Sequence, residues 1–309
     1  MKPDTRRHLR ANLLMLIAAM IWGSAFVAQR LSLDAIGPFL FTGLRFLLGA
    51  LVVLAMIVCA RRAALAELSK REPGGARELF GAGVLLGLVL AASISLQQIG
   101  LQYTKVANAG FISSLYVVIV PLLGVLFRHR TGFGTWLGAT LAALGMYFLS
   151  VNEHFSILYG DWYQLAGALV ISVQMMLVGR FALRHDPLML ALVQFVTCGL
   201  ACLVVGLAIE PVSLVGIERA APTILYGGAL SVGIAYTIQV VAQKHATPSH
   251  AAVIFSMEGV FAALAGWLVL GETLSARALF GCTLMLAGLI ACQVMPARRR
   301  ASERSPHVS

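Results

Sequence analysis

The chain has 309 residues, 59% of them hydrophobic and only 12% charged, with a formal net charge of +10. Soluble domains carry roughly 25% charged residues, so this balance excludes a soluble globular fold and, with a mean hydropathy of +0.87, points to an all-α polytopic membrane protein. Alternating strands of about ten residues, the signature of a membrane barrel, do not occur in the sequence.

Ten apolar stretches follow one another, each near the ~20 residues that a ~30 Å hydrocarbon core demands of a helix. The first, about 11–31, follows a basic tail (1–10) carrying Lys2, Arg6, Arg7 and Arg10. Basic residues before an apolar run also fit a cleaved signal peptide. The run continues past Trp22 and Phe26, however, and is read as a span, with Trp22 either lining a pathway or packing. The second, 38–60, holds Arg45 about 10 Å inside by helix rise. Three roles are open to it: snorkelling to the interface, pairing with an acid, or attracting an anionic solute. The longest internal loop, 61–78, contains Glu72-Pro73-Gly74-Gly75 and reads as a short interfacial helix followed by a turn.

The third span, 79–101, carries Gln97 and Gln98 late in its course. The fourth, 105–127, has Asn108 in its first turn, then Ser114 and Tyr116. The fifth, 133–151, is the shortest, and a linker at 152–161 precedes the sixth (162–183) and seventh (188–209). In the eighth, 222–243, Tyr236, Gln239 and Gln243 share one helix face. The ninth, 249–270, contains His250, Ser256 and Glu258; the tenth is 276–295, and the Arg- and Ser-rich tail 296–309 is expected to be disordered. Small residues at helical spacing (Gly83/Gly87, Gly134/Gly138, Ala262/Gly266) suit close helix packing in lipid.

The positive charge is explained by where it sits. If the chain starts in the cytoplasm and crosses ten times, 18 of the 23 Lys and Arg residues fall on the starting side. That is the positive-inside bias, which places both termini in the cytoplasm and leaves nucleic acid with no role as a partner. The five cysteines form no CxxC and no extracytoplasmic pair, so neither a metal site, a disulfide framework nor any cofactor is indicated.

The segment Asn108–Leu126 recurs at His250–Leu268, 142 residues later, with seven of 19 aligned positions identical. After a one-residue offset the match resumes, with Gly138, Thr140, Leu141 and Gly145 facing Gly281, Thr283, Leu284 and Gly288. The halves are then 11–151 and 162–295. Five spans per half is an odd number, so the second half enters the membrane from the opposite side, giving two inverted repeats about an axis in the membrane plane.

Glu258 is the most informative position. Nine residues past Ser249 at ~1.5 Å each place it about 14 Å deep, near the midplane. An acid there costs at least ~2.5 kcal/mol unless it faces a polar cavity or is protonated. It is either a neutral hydrogen-bonding group between helices or a functional one that could carry a proton. Its repeat partner is Tyr116, and the aligned serines Ser114 and Ser256 lie beside the pair, so unlike polar groups from both halves are expected to face one cavity. Gln97 aligns with Gln239, and amides both donate and accept, which suits multipolar solutes as well as plain interhelical bonding. Asn108 and His250, aligned first-turn residues on opposite faces, are candidates for capping or gating.

Trp22-Gly-Ser-Ala-Phe-Val, Arg45-Phe46 and Asn108-Ala-Gly-Phe-Ile-Ser-Ser-Leu-Tyr116 running to Pro121 resemble the EamA-like branch of the drug/metabolite transporter superfamily, as does Glu258-Gly-Val-Phe through Gly271-Glu272. The resemblance spans about 10–295 and implies ten helices in two inverted halves, a central cavity, and export, less often uptake, of small metabolites such as amino acids across the bacterial inner membrane. Two departures stand out. Gly259 occupies the place where the family usually has Pro after the Glu, which suggests a straighter or differently flexible ninth span. Arg128-His129-Arg130 replaces the usual Gly-Glu after the fourth span.

The expectation is a secondary transporter exporting a small polar or amphipathic metabolite by alternating access, with proton coupling through Glu258 open. No P-loop, GxSxG or HExxH occurs, so neither ATP hydrolysis nor an intramembrane enzyme is indicated. A receptor or assembly protein using the same fold without transport is the alternative.

Overall fold

A computed structural model of the chain describes residues 3–64, 75–104, 106–126, 132–150, 159–244, 246–271 and 276–295. Among them every regular element is helical. This follows from the solvent: in lipid a backbone must satisfy its own polar groups, and an apolar run does so as a helix.

In chain order the elements are α1 (Pro3–Ser32), α2 (Pro38–Ala64), α3 (Ala76–Gly100), α4 (Val106–Ser113), α5 (Tyr116–Leu126), α6 (Phe133–Ser150), α7 (Tyr159–Phe181), α8 (Pro187–Ile209) and α9 (Leu214–Leu225). A π-helical segment, Tyr226–Tyr236, continues α9 into α10 (Thr237–Gln243); α11 (Pro248–Phe255), α12 (Glu258–Leu270) and α13 (Ala276–Val294) follow. Among the described residues seven helices are long and apolar enough to cross a membrane: Leu9–Ser32, Pro38–Cys59, Ala76–Gly100, Tyr159–Phe181, Pro187–Ile209, Leu214–Gln243 and Pro248–Val269. Three shorter apolar helices accompany them, Tyr116–Leu126, Phe133–Gly145 and Leu279–Ala291.

The ends are set by caps where the sequence provides them. Asp186 accepts from the Met189 N–H at 2.9 Å, with Pro187 at the first position of α8. Gly271, at φ 68°, closes α12 in the left-handed conformation that glycine tolerates. Glu210, just past α8, reaches sideways: its two carboxylate oxygens accept from the Phe39 and Leu40 N–H groups at 2.8 Å each, capping α2 from another helix.

Several expected boundaries are corrected. α1 begins at Pro3, so the basic tail extends the first span as helix. The eighth span begins at Leu214, because Ser213 caps it by accepting from the Gly216 N–H. The interfacial helix expected in 61–78 begins as an extension of α2 to Ala64, with 65–74 outside the described residues. The tail 296–309 and the Arg128–Arg130 departure also lie outside them.

The fourth and ninth spans are each broken, at aligned positions. α4 stops at Ser113 and α5 restarts at Tyr116; α11 stops at Phe255 and α12 restarts at Glu258. At the first break the Leu115 N–H bonds Ile112 O (3.1 Å) and the Val117 N–H bonds Ser114 O (3.0 Å), three residues back instead of four. The second repeats this: Met257 to Ile254 O (3.2 Å) and Gly259 to Ser256 O (3.1 Å). Each span therefore tightens through one 3₁₀-like turn, a feature that in mid-helix often marks a hinge. The ninth span is thus interrupted by a tightened turn, although Gly259 stands in place of Pro.

α2 packs on α8, α3 on α7 and α8, α6 on α13, and α1 on α12 and the π segment. Glycine permits the closest of these approaches: a Cβ on Gly23 would lie 2.5 Å from Glu258 O, and one on Gly49 would lie 2.3 Å from Val232 Cγ1. The Pro248–Val269 helix is 72% buried against 39–56% for the other long ones, so it runs through the heart of the bundle. Polarity is turned inside out. Leu126 and Leu268 are exposed at 74% and 71%, while Gln98, Gln164, Gln174, Gln194 and Gln239 are buried.

Candidate functional site

The central break in the ninth span makes Glu258 the first residue of α12. Its carboxylate is buried at 6% exposure, and Oε1 accepts from Tyr116 Oη at 2.9 Å and Ser114 Oγ at 3.1 Å. Both donors belong to the other broken span, Ser114 in its turn and Tyr116 at the restart of the helix. Two tightened turns thus face each other and place unlike groups, donor and acceptor, in contact.

Glu258 and Tyr116 line a cavity of about 40 Å³, shared with Trp22, Phe26 and Gln29 of α1, Arg45 of α2, Ile94 and Gln97 of α3, Ile171 and Met175 of α7, and Ser231, Tyr236 and Gln239. The Trp22 indole N–H donates to the Ser231 carbonyl at 3.2 Å, and its ring centroid lies 4.6 Å from Tyr236 and 5.1 Å from Phe255. Tyr236 in turn meets Phe46 at 5.7 Å and Phe195 at 6.2 Å, so the lining rings of Trp22 and Tyr236 are backed by a continuous aromatic cluster. The π-helical stretch supplies two of the lining residues and the carbonyl that orients Trp22.

The structure brings six of the expected residues to this cavity: Glu258, Tyr116, Gln239, Tyr236, Gln97 and Trp22. Ser114 stands one bond behind, on the Glu258 carboxylate. Gln239 donates to Gln174 Oε1 at 3.3 Å and keeps its own Oε1 without a partner among the described residues. Two expected residues are not there. Ser256 turns back onto its own helix and donates to Val253 O at 2.8 Å, so its alignment with Ser114 does not carry over to the side chain. Gln243 lies farther along α10, donating to Met175 O at 3.4 Å.

The capping role considered for His250 falls to Thr247, whose hydroxyl accepts from the His250 N–H at 3.3 Å; the His250 ring meets Asn12 Oδ1 at 3.1 Å. The side chain of Asn108 lies outside the described residues. Gln98 does not line the cavity but donates to Gln29 O at 3.2 Å, joining α3 to α1. Gln29 itself was missed by sequence reasoning. It sits beside Arg30 near the end of α1, where a polar residue reads as interfacial, and only the i, i+3, i+7 spacing of Trp22, Ala25 and Gln29 could have put it on the Trp22 face.

A bundle of apolar helices enclosing a small polar chamber, with a carboxylate held between two discontinuous helices, is an arrangement that recurs in secondary transporters. The model of the EamA-like transporter family matches residues 9–151 and again 158–292, and the chain belongs to that family. An uncharacterized transporter of Archaeoglobus fulgidus is 30% identical over 288 residues, covering 92% of this chain and 86% of its own. The uncharacterized transporter YoaV of Bacillus subtilis is 21% identical, covering 91% and 96%. A chloroplastic WAT1-related protein of Arabidopsis thaliana is 25% identical over 87% of this chain and 66% of its own length. A solved crystal structure, 22% identical with a TM-score of 0.72 over 92% of this chain and 96% of the other, shares the fold. The family resemblance drawn from the residues is therefore borne out: this is a multi-pass membrane transporter of the drug/metabolite type, with a small molecule as substrate and a bilayer as its surroundings.

Proposed function

We infer that the protein is a secondary exporter of a small polar or amphipathic metabolite, an amino acid or related compound, working by alternating access across the bacterial inner membrane. In this reading ten helices form two inverted five-helix halves, 11–151 and 162–295, with both termini in the cytoplasm. The solute binds in the chamber where the halves meet. The observation that carries the proposal is the Glu258 carboxylate, bonded by Tyr116 and Ser114 of the other half and facing the cavity. A buried carboxyl at such a junction is costly unless it serves a function or is paired. The matched turns at 114–115 and 256–257 support two hinges placed symmetrically about it. The matrix of buried amides and aromatic rings offers both polar and apolar contact to one solute.

Glu258 is the proposed proton carrier. Counterflow of labelled amino acids in proteoliposomes, with and without an imposed pH gradient, tests both parts. The expected result is exchange by the wild type that the gradient accelerates, and loss of that acceleration in Glu258→Gln. Saturable binding without exchange would make the protein a receptor. Identical gradient responses in the two proteins would remove proton coupling.

A further inference from the structure

We propose that Arg45 is the anion anchor of this chamber and that the group it takes is a carboxylate. The proposal rests on the transport reading above for placing a solute in the cavity, but its own support is separate.

Arg45 is 2% exposed, so it does not snorkel to an interface. It is also unpaired: among the described residues it makes no ion pair or hydrogen bond, and its Nε is wholly enclosed without an acceptor. Its guanidinium carbon lies 5.1 Å from the Phe41 ring and 5.4 Å from the Phe46 ring. These rings attract a cation through their quadrupoles but accept none of its five N–H bonds in the way an anion would. Of the three roles the sequence leaves open, two are therefore unfilled. A guanidinium that lines a polar chamber with its donors free is built for something that enters the chamber.

The chamber also specifies the charge of the guest. Among the described residues Arg45 is the one cationic side chain in its lining, and Glu258 is the one acidic side chain. A dianion such as a phosphate monoester would exceed the single positive charge and be repelled by the carboxylate. A carboxylate matches one guanidinium in charge and, through two parallel N–H bonds, in shape. Glu258 is occupied on Oε1 by Tyr116 and Ser114 and forms no ion pair with Arg45, so the two charges line the same cavity without joining. That separation leaves Glu258 and the free Oε1 of Gln239 as acceptors for a second, donor-bearing end of the solute. Ile94, Ile171 and Met175 supply apolar lining to the same cavity.

Four probes on one branched skeleton isolate the carboxylate: L-leucine, 4-methylpentanoate, L-leucinamide and 3-methylbutylamine. Thermal shift and Trp-fluorescence titration of the purified full chain should detect the two carboxylates and not the amide or amine, since only ligands that bind the folded state raise the melting temperature. Arg45→Met should weaken L-leucine binding by roughly 10- to 100-fold, the loss expected for charge-assisted hydrogen bonds, and Arg45→Lys should restore part of it. Without ligand, Arg45→Met should melt no lower than the wild type, because it removes an unpaired buried charge while keeping bulk between the two rings; a purely structural arginine would show a lowered melting temperature instead. Equal binding of the amide or amine, a preference for carboxylates that survives Arg45→Met, or no shift with either carboxylate each overturns the anchor. Amide or amine binding that Glu258→Gln abolishes would overturn the anchor yet keep the chamber as the solute site. Counterflow decides the transport reading independently.

Discussion

The two broken spans, α4–α5 and α11–α12, share a backbone and differ in chemistry. Both tighten through one turn at aligned residues, and the bonds Leu115 to Ile112 and Val117 to Ser114 reappear as Met257 to Ile254 and Gly259 to Ser256. At the restart of the helix, however, one copy presents a phenol and the other a carboxylate. The serine before the turn follows the same division: Ser114 reaches across to Glu258, while Ser256 bonds its own helix at Val253. The comparison separates two contributions. Repetition supplies the paired turn, and divergence at one aligned position, Tyr116 against Glu258, supplies a donor–acceptor contact that identical copies could not make.

Substitutions at these positions sharpen the contrast in graded steps. The largest effect is expected from Glu258→Leu, which leaves the Tyr116 and Ser114 hydroxyls buried without their acceptor. Each orphaned group costs about 1–3 kcal/mol, so a clear fall in melting temperature and loss of counterflow should appear together. Gly23→Val comes next. Its Cβ would meet Glu258 O at 2.5 Å and Ala262 N at 2.7 Å, forcing α1 off α12, and overpacking of this kind costs about 1–3 kcal/mol, read in the same melting assay. Tyr116→Phe removes one donor and keeps the ring, so counterflow should fall roughly tenfold with stability lowered by about 1 kcal/mol. Smallest is the serine pair. Ser114→Ala should reduce counterflow several-fold, whereas Ser256→Ala should stay within about 0.5 kcal/mol of the wild type in stability. Equal effects of the two serine substitutions would break the asymmetry described above. A double-mutant cycle of Tyr116→Phe and Glu258→Leu in melting temperature should show coupling of at least ~0.5 kcal/mol, since the groups touch; additive losses would deny the contact.

Much of the site was legible because charge and amide in an apolar run are conspicuous. Glu258 and its alignment with Tyr116 follow from the repeat and from helix rise alone, Tyr236 and Gln239 from a shared helical face, and Gln97 from its alignment with Gln239, whereas Trp22 was left open between lining and packing. What could not be read was backbone irregularity. Neither Ser114-Leu115 nor Ser256-Met257 contains Gly or Pro, so no breaker marks the two turns. The π segment carries Gly227, Gly228 and Gly233, but glycine in a span reads equally as close helix packing, so its irregular backbone was not legible either. Ser256 was over-assigned because repeat alignment transfers position, not rotamer. Arg45 was under-assigned because its unpaired state depends on which helices surround it, and a single span does not say.

The central claim is that residue 258 faces water in a chamber between the two copies, not lipid. Cysteine labelling tests it most directly, in a background with the five native cysteines replaced. Glu258→Cys and Trp267→Cys lie on one helix, the second at a position 51% exposed on the outer surface of the bundle. A water-soluble methanethiosulfonate reacts with thiolates, which form only where water reaches. The account predicts that the thiol at 258 is modified and that the one at 267 is not; modification at 258 no faster than at 267 would contradict it.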